Sequence, residues 1–412
     1  MTYLRLSFVV LLLLRFCTPA ISITFPGDAA ALAAFKAAVV PSSILPFSCL
    51  SSWNFSASSD PCRTFLCGLS CSADGRITAI VLDSAGYSGY LPAVISNLSH
   101  LQTLDLSNNF FHSSIPSSLS SLSKLQSLVL TSNDFTGTIP FSLLSNLSSL
   151  QNLELSRNSF SGSVPASLSS LTALAILDFS YNRFTGPIPS SLPPNLVTLA
   201  LRRNSLTGFL IRSAFTPLRR LEVADLAGNR LNGNVEGWLL KLPKIQQLNL
   251  ANNSFEKWVV WPATAGDGGG QELVAVDLGF NQIEGRLPPE LAGYPSLVAI
   301  TVSYNKLRGE IPWQYHGEKN GAAFRRLFLA GNFLQGRVPA EFLGGEMAGS
   351  FGDNCLEGCP VASEMCSPRQ KPGWICKMAY SGAVGQPRGN TMGLELADGE
   401  RFRVFKPEAC CR

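Results

Sequence analysis

Leu101–Pro116 reads LQTLDLSNNFFHSSIP, and the windows from Leu125 (LQSLVLTSNDFTGTIP), Leu150 (LQNLELSRNSFSGSVP) and Leu174 (LAILDFSYNRFTGPIP) repeat it. One template of about 24 residues recurs along the chain, and a fixed period in this range marks a solenoid. Counted from the first leucine, places four and six of LxxLxL point to one side of a short strand, and the residues between them to the other. A single coil therefore has an apolar interior that it cannot bury alone, so neighbours must stack on it. The recurrent Asn at place nine (Asn109, Asn133, Asn158, Asn182, Asn204, Asn229, Asn253, Asn281, Asn305, Asn332) reads as structural, because its amide can pair turn backbone otherwise buried without a partner. Place eleven (Phe111, Phe135, Phe160, Phe184, Leu206, Leu231, Phe255, Ile283, Leu307, Leu334) forms a second apolar column behind the strands.

Coils start at Ile77, Leu101, Leu125, Leu150, Leu174, Leu196, Leu221, Ile245, Leu273, Leu297 and Phe324, eleven in all, the first degenerate with Ala85 at place nine. With leucine at places one, four and six, Asn at nine and a Gly-x-Ile-Pro step after it, the sequence resembles the plant extracellular subtype of leucine-rich repeats. The resemblance implies an α/β solenoid: a curved right-handed superhelix of about 11 repeats, with a short N-terminal helix and disulfide caps at both ends.

The chain has 412 residues, with Lys plus Arg at 32 against Asp plus Glu at 28. That balance is too mild for a nucleic-acid binder and supports at most a weak attraction to acidic polymers such as a pectic wall. Of the 11 cysteines, Cys17 lies in the leader and Cys49, Cys62, Cys67 and Cys71 precede the repeats, while Cys355, Cys359, Cys366, Cys376, Cys410 and Cys411 follow them. Two terminal clusters fit disulfides formed in an oxidising compartment and closing the ends of a stack. Sequence leaves the pairing open among three connectivities for the first cluster and fifteen for the second, except that adjacent Cys410 and Cys411 do not bond to each other. A metal reading of Cys67 with Cys71, or Cys355 with Cys359, is weaker, since His100, His112 and His316 sit elsewhere. No metal or cofactor is expected.

Residues 1–22 read as a secretory leader, with Arg5, an apolar run and small residues at Ala20 and Ser22. Residues 23–76 are expected to form an N-terminal cysteine cap, its helix capped by Asp28 and ended by Pro41. Trp53 and Cys62 resemble the cap of plant receptor-like proteins. The repeats are assigned 77–347, a cysteine-rich C-terminal cap 348–380, and a weakly ordered tail 381–412. No stretch after the leader approaches the roughly 20 apolar residues that a bilayer requires, and KPEACCR at the end carries no lipid-anchor signal. The expectation is a secreted protein of the extracellular space or cell wall, without membrane insertion.

No catalytic constellation is present: there is no Gly-x-Ser-x-Gly elbow, no phosphate-binding glycine loop and no kinase signature, and histidines are few. The chain reads as a binding surface rather than an enzyme. Places three, five, seven and eight face the concave side, giving an acidic column (Asp105, Glu154, Asp178, Asp225, Asp277) taken as generic solvated surface. Arg157, Tyr181, Arg202 and Arg203, then Phe280, Tyr304, Arg326 and Phe328, are of the types enriched at binding hot spots. Two longer coils carry insertions, one with Trp258 and Trp261 and the other with Trp313 and Tyr315; these aromatics read either as binding anchors or as patches on the core. Sequons stand at Asn54, Asn97, Asn146 and Asn252, the last at place eight between the two clusters.

The leading reading is a secreted recognition protein for an extracellular protein, peptide or glycan, in defence or receptor signalling, with a membrane receptor kinase as one partner class. The architecture is also similar to that of polygalacturonase-inhibiting proteins, which implies a pectinase partner, although the longer cysteine-rich end and the two insertions depart from that family. A third reading is a wall-associated structural protein.

Overall fold

The computed structural model describes residues 23–56, 59–262, 270–316, 324–343 and 347–381. Residues 1–22, expected as a leader, and 382–412, expected as a tail, lie outside the described residues, as do Cys17, Cys410 and Cys411.

Each LxxLxL window places three residues in a strand, and successive strands pair in parallel one coil apart. Thr103–Asp105 aligns with Ser127–Val129 so that Leu104 faces Leu128, and the same register passes to Leu153, Leu177 and Leu199. The resulting sheet has 13 strands in simple sequential order. Only its first member, Leu69–Cys71, runs antiparallel to its neighbour, Ile77–Val81. A second sheet of 12 strands, beginning at Ser88–Tyr90 and Phe110–Ser113, forms around place eleven. Leucines at places one, four and six fill the space between the sheets together with the place-eleven column, all of whose members are at most 1 % exposed.

The asparagine ladder works as its spacing implies. Asn305 donates from Nδ2 to the carbonyls of Leu278 (2.9 Å) and Val302 (3.0 Å), and its Oδ1 accepts the amide of Ile283 at 2.9 Å. One side chain thus serves two coils in a place that water does not reach. The ladder also runs one coil past the expected boundary at residue 347. Ala348–Ser350 pairs with Arg326–Phe328, and the buried Asn354 bonds Leu329 O and Leu334 N. This coil escapes the leucine template because place four is Gly349, where a Cβ would stand 2.6 Å from the Leu327 carbonyl oxygen. Phe351, stacked on Phe342 at 5.9 Å, supplies the core instead.

The N-terminal helix spans Pro26–Ala37, with Phe25 at the cap, and starts three residues earlier than the Asp28 cap implies. Pro26 sets the first turn, since its fixed φ suits a helix start and its missing N–H would have been unpaired there anyway. Asp28 is instead fully buried in that turn, paired with Arg76 at 3.0 Å and accepting the Ile77 amide at 2.9 Å. It ties the cap to the first coil. Disulfides Cys49–Cys67 and Cys62–Cys71 close this end, and Cys359–Cys366 lies near the other, where Cys355 is also oxidised. Oxidation of Cys67, Cys71, Cys355 and Cys359 removes the thiolates that the metal reading needs.

Residues from Gly373 form a separate unit, of which the described part is chiefly the helix Gly373–Tyr380, with Cys376 in a disulfide. Among the described residues no helix is long and apolar enough to cross a membrane.

Candidate recognition surface

Place eight is where the chain leaves the 13-stranded sheet, and from the second coil onward the residue there has positive φ: 57° at Asn108, 56° at Ser132, 55° at Arg157, Tyr181 and Arg203, 53° at Asn252, 56° at Phe280 and 57° at Tyr304, whereas Ser84 of the degenerate first coil does not. The left-handed region costs an L-residue roughly 1–2 kcal/mol, least for Gly and Asn. Packing holds it there. Each of these place-eight amides donates to the place-seven carbonyl of the next coil, as from Tyr181 to Arg202 (2.7 Å), Phe280 to Ser303 (2.8 Å) and Tyr304 to Ala330 (2.7 Å). Side chains at this place stand clear of the core and are free to vary.

Two clusters result. In the first, the Arg157 guanidinium lies 4.7 Å from the centre of the Tyr181 ring and that of Arg202 lies 6.0 Å from it. Arg202 also reaches Asp225 at 3.9 Å, and Arg203 rests its stem on Gly228. In the second, Phe280 and Tyr304 stack with centroids 4.6 Å apart and planes 19° from parallel. A Cβ on Gly331 would meet the Tyr304 ring at 2.5 Å, so this glycine, with φ +74°, leaves the space the ring occupies. Phe328 is half-buried beside Thr301 in the sheet, and Arg326, two residues before it, is exposed. Between the clusters stand Gly228 and the exposed Asn252.

The acidic column is not generic solvated surface. Oδ1 of Asp105, Asp178, Asp225 and Asp277 accepts the backbone amide two residues on, at 2.9, 2.9, 3.1 and 2.9 Å. These carboxylates cap strand ends; Glu154, one methylene longer, instead takes a bond from Asn152 at 2.9 Å. Burial pushes the Asp225 carboxyl above its ordinary range, against the Ala227 amide and Arg202, with Asp178 adding to the rise. Asp277 is raised in the same way, first by burial and further by Asp225, against the Gly279 amide and Arg202.

The first insertion resolves towards the core. Trp258 ends the strand Ser254–Trp258 and is 8 % exposed, so it is no binding anchor. Trp261 is half-buried, its carbonyl accepting the Tyr294 hydroxyl at 2.9 Å and its ring lying under Arg212 at 5.5 Å. Both fill space where the coil lacks its Gly-x-Ile-Pro step. In the second insertion Tyr315 is buried, while Trp313 is 70 % exposed. All four sequon asparagines are exposed.

Residues 25–72 match the leucine rich repeat N-terminal domain and residues 82–266 the leucine-rich repeat region. The protein is a leucine-rich-repeat protein. This leucine-rich-repeat chain is 36% identical to Receptor like protein 28 of Arabidopsis thaliana over 76 residues, which is 17% of the chain and 9% of that protein. Among solved structures, PEPR1–AtPEP1 superposes with TM-score 0.71 at 30% identity, over 81% of the chain and 45% of PEPR1. The plant peptide hormone receptor RGFR1 in complex with RGF2 superposes with TM-score 0.55 at 26% identity, over 65% of the chain and 46% of that chain. The leucine-rich-repeat protein thus spans less than half of each of these relatives.

Proposed function

We propose that this protein is an extracellular recognition module that binds a peptide or protein on the 13-stranded sheet face, anchored at place eight. The observation that carries the reading is the pair of clusters built on the exposed, left-handed residues Arg157, Tyr181 and Arg203, with half-buried Arg202 beside them, and Phe280 and Tyr304, at positions where Gly or Asn would be the unstrained choice. Arg and aromatic side chains on a rigid frame are hot-spot chemistry. Strain retained at exposed positions points to use. The relatives support the class of partner, since RGFR1 is a plant peptide hormone receptor solved in complex with RGF2. Terminal disulfides and the leader-like 1–22 support export.

A glycan on Asn252 would stand between the clusters, so one cluster rather than both contacts a given partner. The test begins with peptides from plant extracellular fluid retained on the immobilised protein, identified by mass spectrometry and then titrated as synthetic peptides. Truncating the cluster in use, by Tyr181→Ala or Tyr304→Ala, is expected to weaken binding by at least about tenfold, while the other variant binds normally. Unchanged affinity in both variants would refute the reading. Should the retained partner be a pectinase, its inhibition by the protein would make this surface that of a polygalacturonase inhibitor.

A further inference from the structure

A different part of the coil, past the second sheet, carries a feature that the sheet face does not use. A depression of about 370 Å³ opens there across three coils, its lining including Arg286, Pro289, Glu310, Trp313, Gln314 and Gln335. Its volume lies within the range of small-ligand sites, about 300–1,000 Å³. Trp313 is 70 % exposed, which leaves most of its indole available for contact.

The indole is presented by a fixed backbone. Trp313 opens the short turn Trp313–Tyr315, preceded by Pro312. Tyr315 at the end of that turn is 1 % exposed, donates its hydroxyl to the Pro288 carbonyl at 2.8 Å and packs edge-on to Phe324 at 5.0 Å. A ligand landing on Trp313 therefore meets a preorganised base, and little order remains to be imposed. Around it the side chains of Arg286, Glu310, Gln314 and Gln335 make no hydrogen bond or ion pair with other described residues. One guanidinium, one carboxylate and two amides thus surround a flat ring with their donors and acceptors unspent.

We propose that this depression binds a short neutral oligosaccharide, one sugar ring lying on Trp313 and its hydroxyls bonded by the four polar side chains. A pyranose has C–H bonds on its faces and hydroxyls around its edge, which matches an indole within a mixed polar rim. A purely apolar ligand would strip water from Arg286 and Glu310 and return nothing. A polyanion would gain from Arg286 but meet Glu310 beside it. The rim carries one positive and one negative side chain, and its charge balance selects an uncharged saccharide.

The test titrates the full chain with cellohexaose and mannohexaose as neutral probes and hexagalacturonate as the charged one, by calorimetry and tryptophan fluorescence. At least one neutral probe is expected to bind and to perturb the fluorescence. Trp313→Ala is expected to weaken it at least about tenfold and Gln335→Ala several-fold, whereas Tyr304→Ala on the sheet face leaves it unchanged. An unaltered thermal melt of Trp313→Ala shows that the variant is folded; were it destabilised, Gln335→Ala alone decides. Absence of binding to both neutral probes, binding of hexagalacturonate only, or wild-type affinity in the folded variants would overturn the proposal. Because Tyr304→Ala reports on the other face, failure here leaves the peptide reading standing, and the reverse.

Discussion

Place eleven and place eight recur with the same period in the same coils, yet one column is monotonous and the other varied. Behind the sheet stand Phe, Leu and Ile only, each at most 1 % exposed and partly in a run of stacked rings in which Phe135 lies 6.5 Å from Phe111 and 6.1 Å from Phe160. At the sheet's exit stand Asn, Ser, Arg, Tyr, Gly and Phe on one repeated backbone geometry. The stack dictates side chains where two coils press together, and leaves them unconstrained where only the backbone is held. Variation tolerated by the frame is where recognition can be written.

The contrast can be broken at its buried end first. Phe135→Ala removes a ring between two others and is expected to destabilise the fold by about 3–5 kcal/mol; urea unfolding measures it, and a loss below about 1 kcal/mol would mean that the column does not carry the stack. Asn305→Ala strands the carbonyls of Leu278 and Val302 and the Ile283 amide, with an expected loss of about 2–3 kcal/mol in the same assay. At the varied end the effect is smaller and of opposite sign. Arg203→Asn replaces a left-handed arginine by a residue that tolerates the conformation, and a gain of up to about 1 kcal/mol is expected; a clear loss would show that Arg203 supports the frame.

The smallest effect concerns pH. Folding raises the Asp225 and Asp277 carboxyls above the ordinary value of 3.8, so the folded state holds protons that the unfolded state has released. Their contribution to stability is present below the unfolded value and is lost as pH rises through the folded one. Asp225→Asn with Asp277→Asn should flatten the decline just above pH 3.8 and keep the strand-end caps, because the native Asn249 already caps Ala251 in this way. An unchanged slope in thermal melts between acid and neutral pH would contradict the assignment.

Much of this frame was legible because a repeat averages over its own exceptions. Ten asparagines at one place cannot all be incidental, and the leucine columns fixed the direction of every strand. What stayed hidden was conformation without a residue signature. Arg157, Tyr181 and Phe280 give no hint of a left-handed backbone, since the coil imposes it through amide bonds to the next turn. The capping role of Asp105 hid behind a common Leu-Asp-Leu pattern, though the distance of two residues to the capped amide is a known turn signal. Trp258 stayed open between anchor and core patch because a missing Gly-x-Ile-Pro step looks like a loop, whereas the strand continues and the indole is buried. The last coil was missed because Gly349 stands where leucine was sought, although Asn354, five residues on at place nine, kept its place.

The claim on which the account rests is that partners meet the sheet face at place eight. A photo-crosslinking residue placed at Tyr304, and separately at the exposed Phe141 on the helix side of a coil, would be irradiated with the protein in extracellular fluid and the adducts weighed. The account expects a discrete peptide adduct from position 304 or, if the other cluster is in use, from the same probe at Tyr181, with none from position 141. Adducts from position 141 alone, or equally from all three, would contradict it.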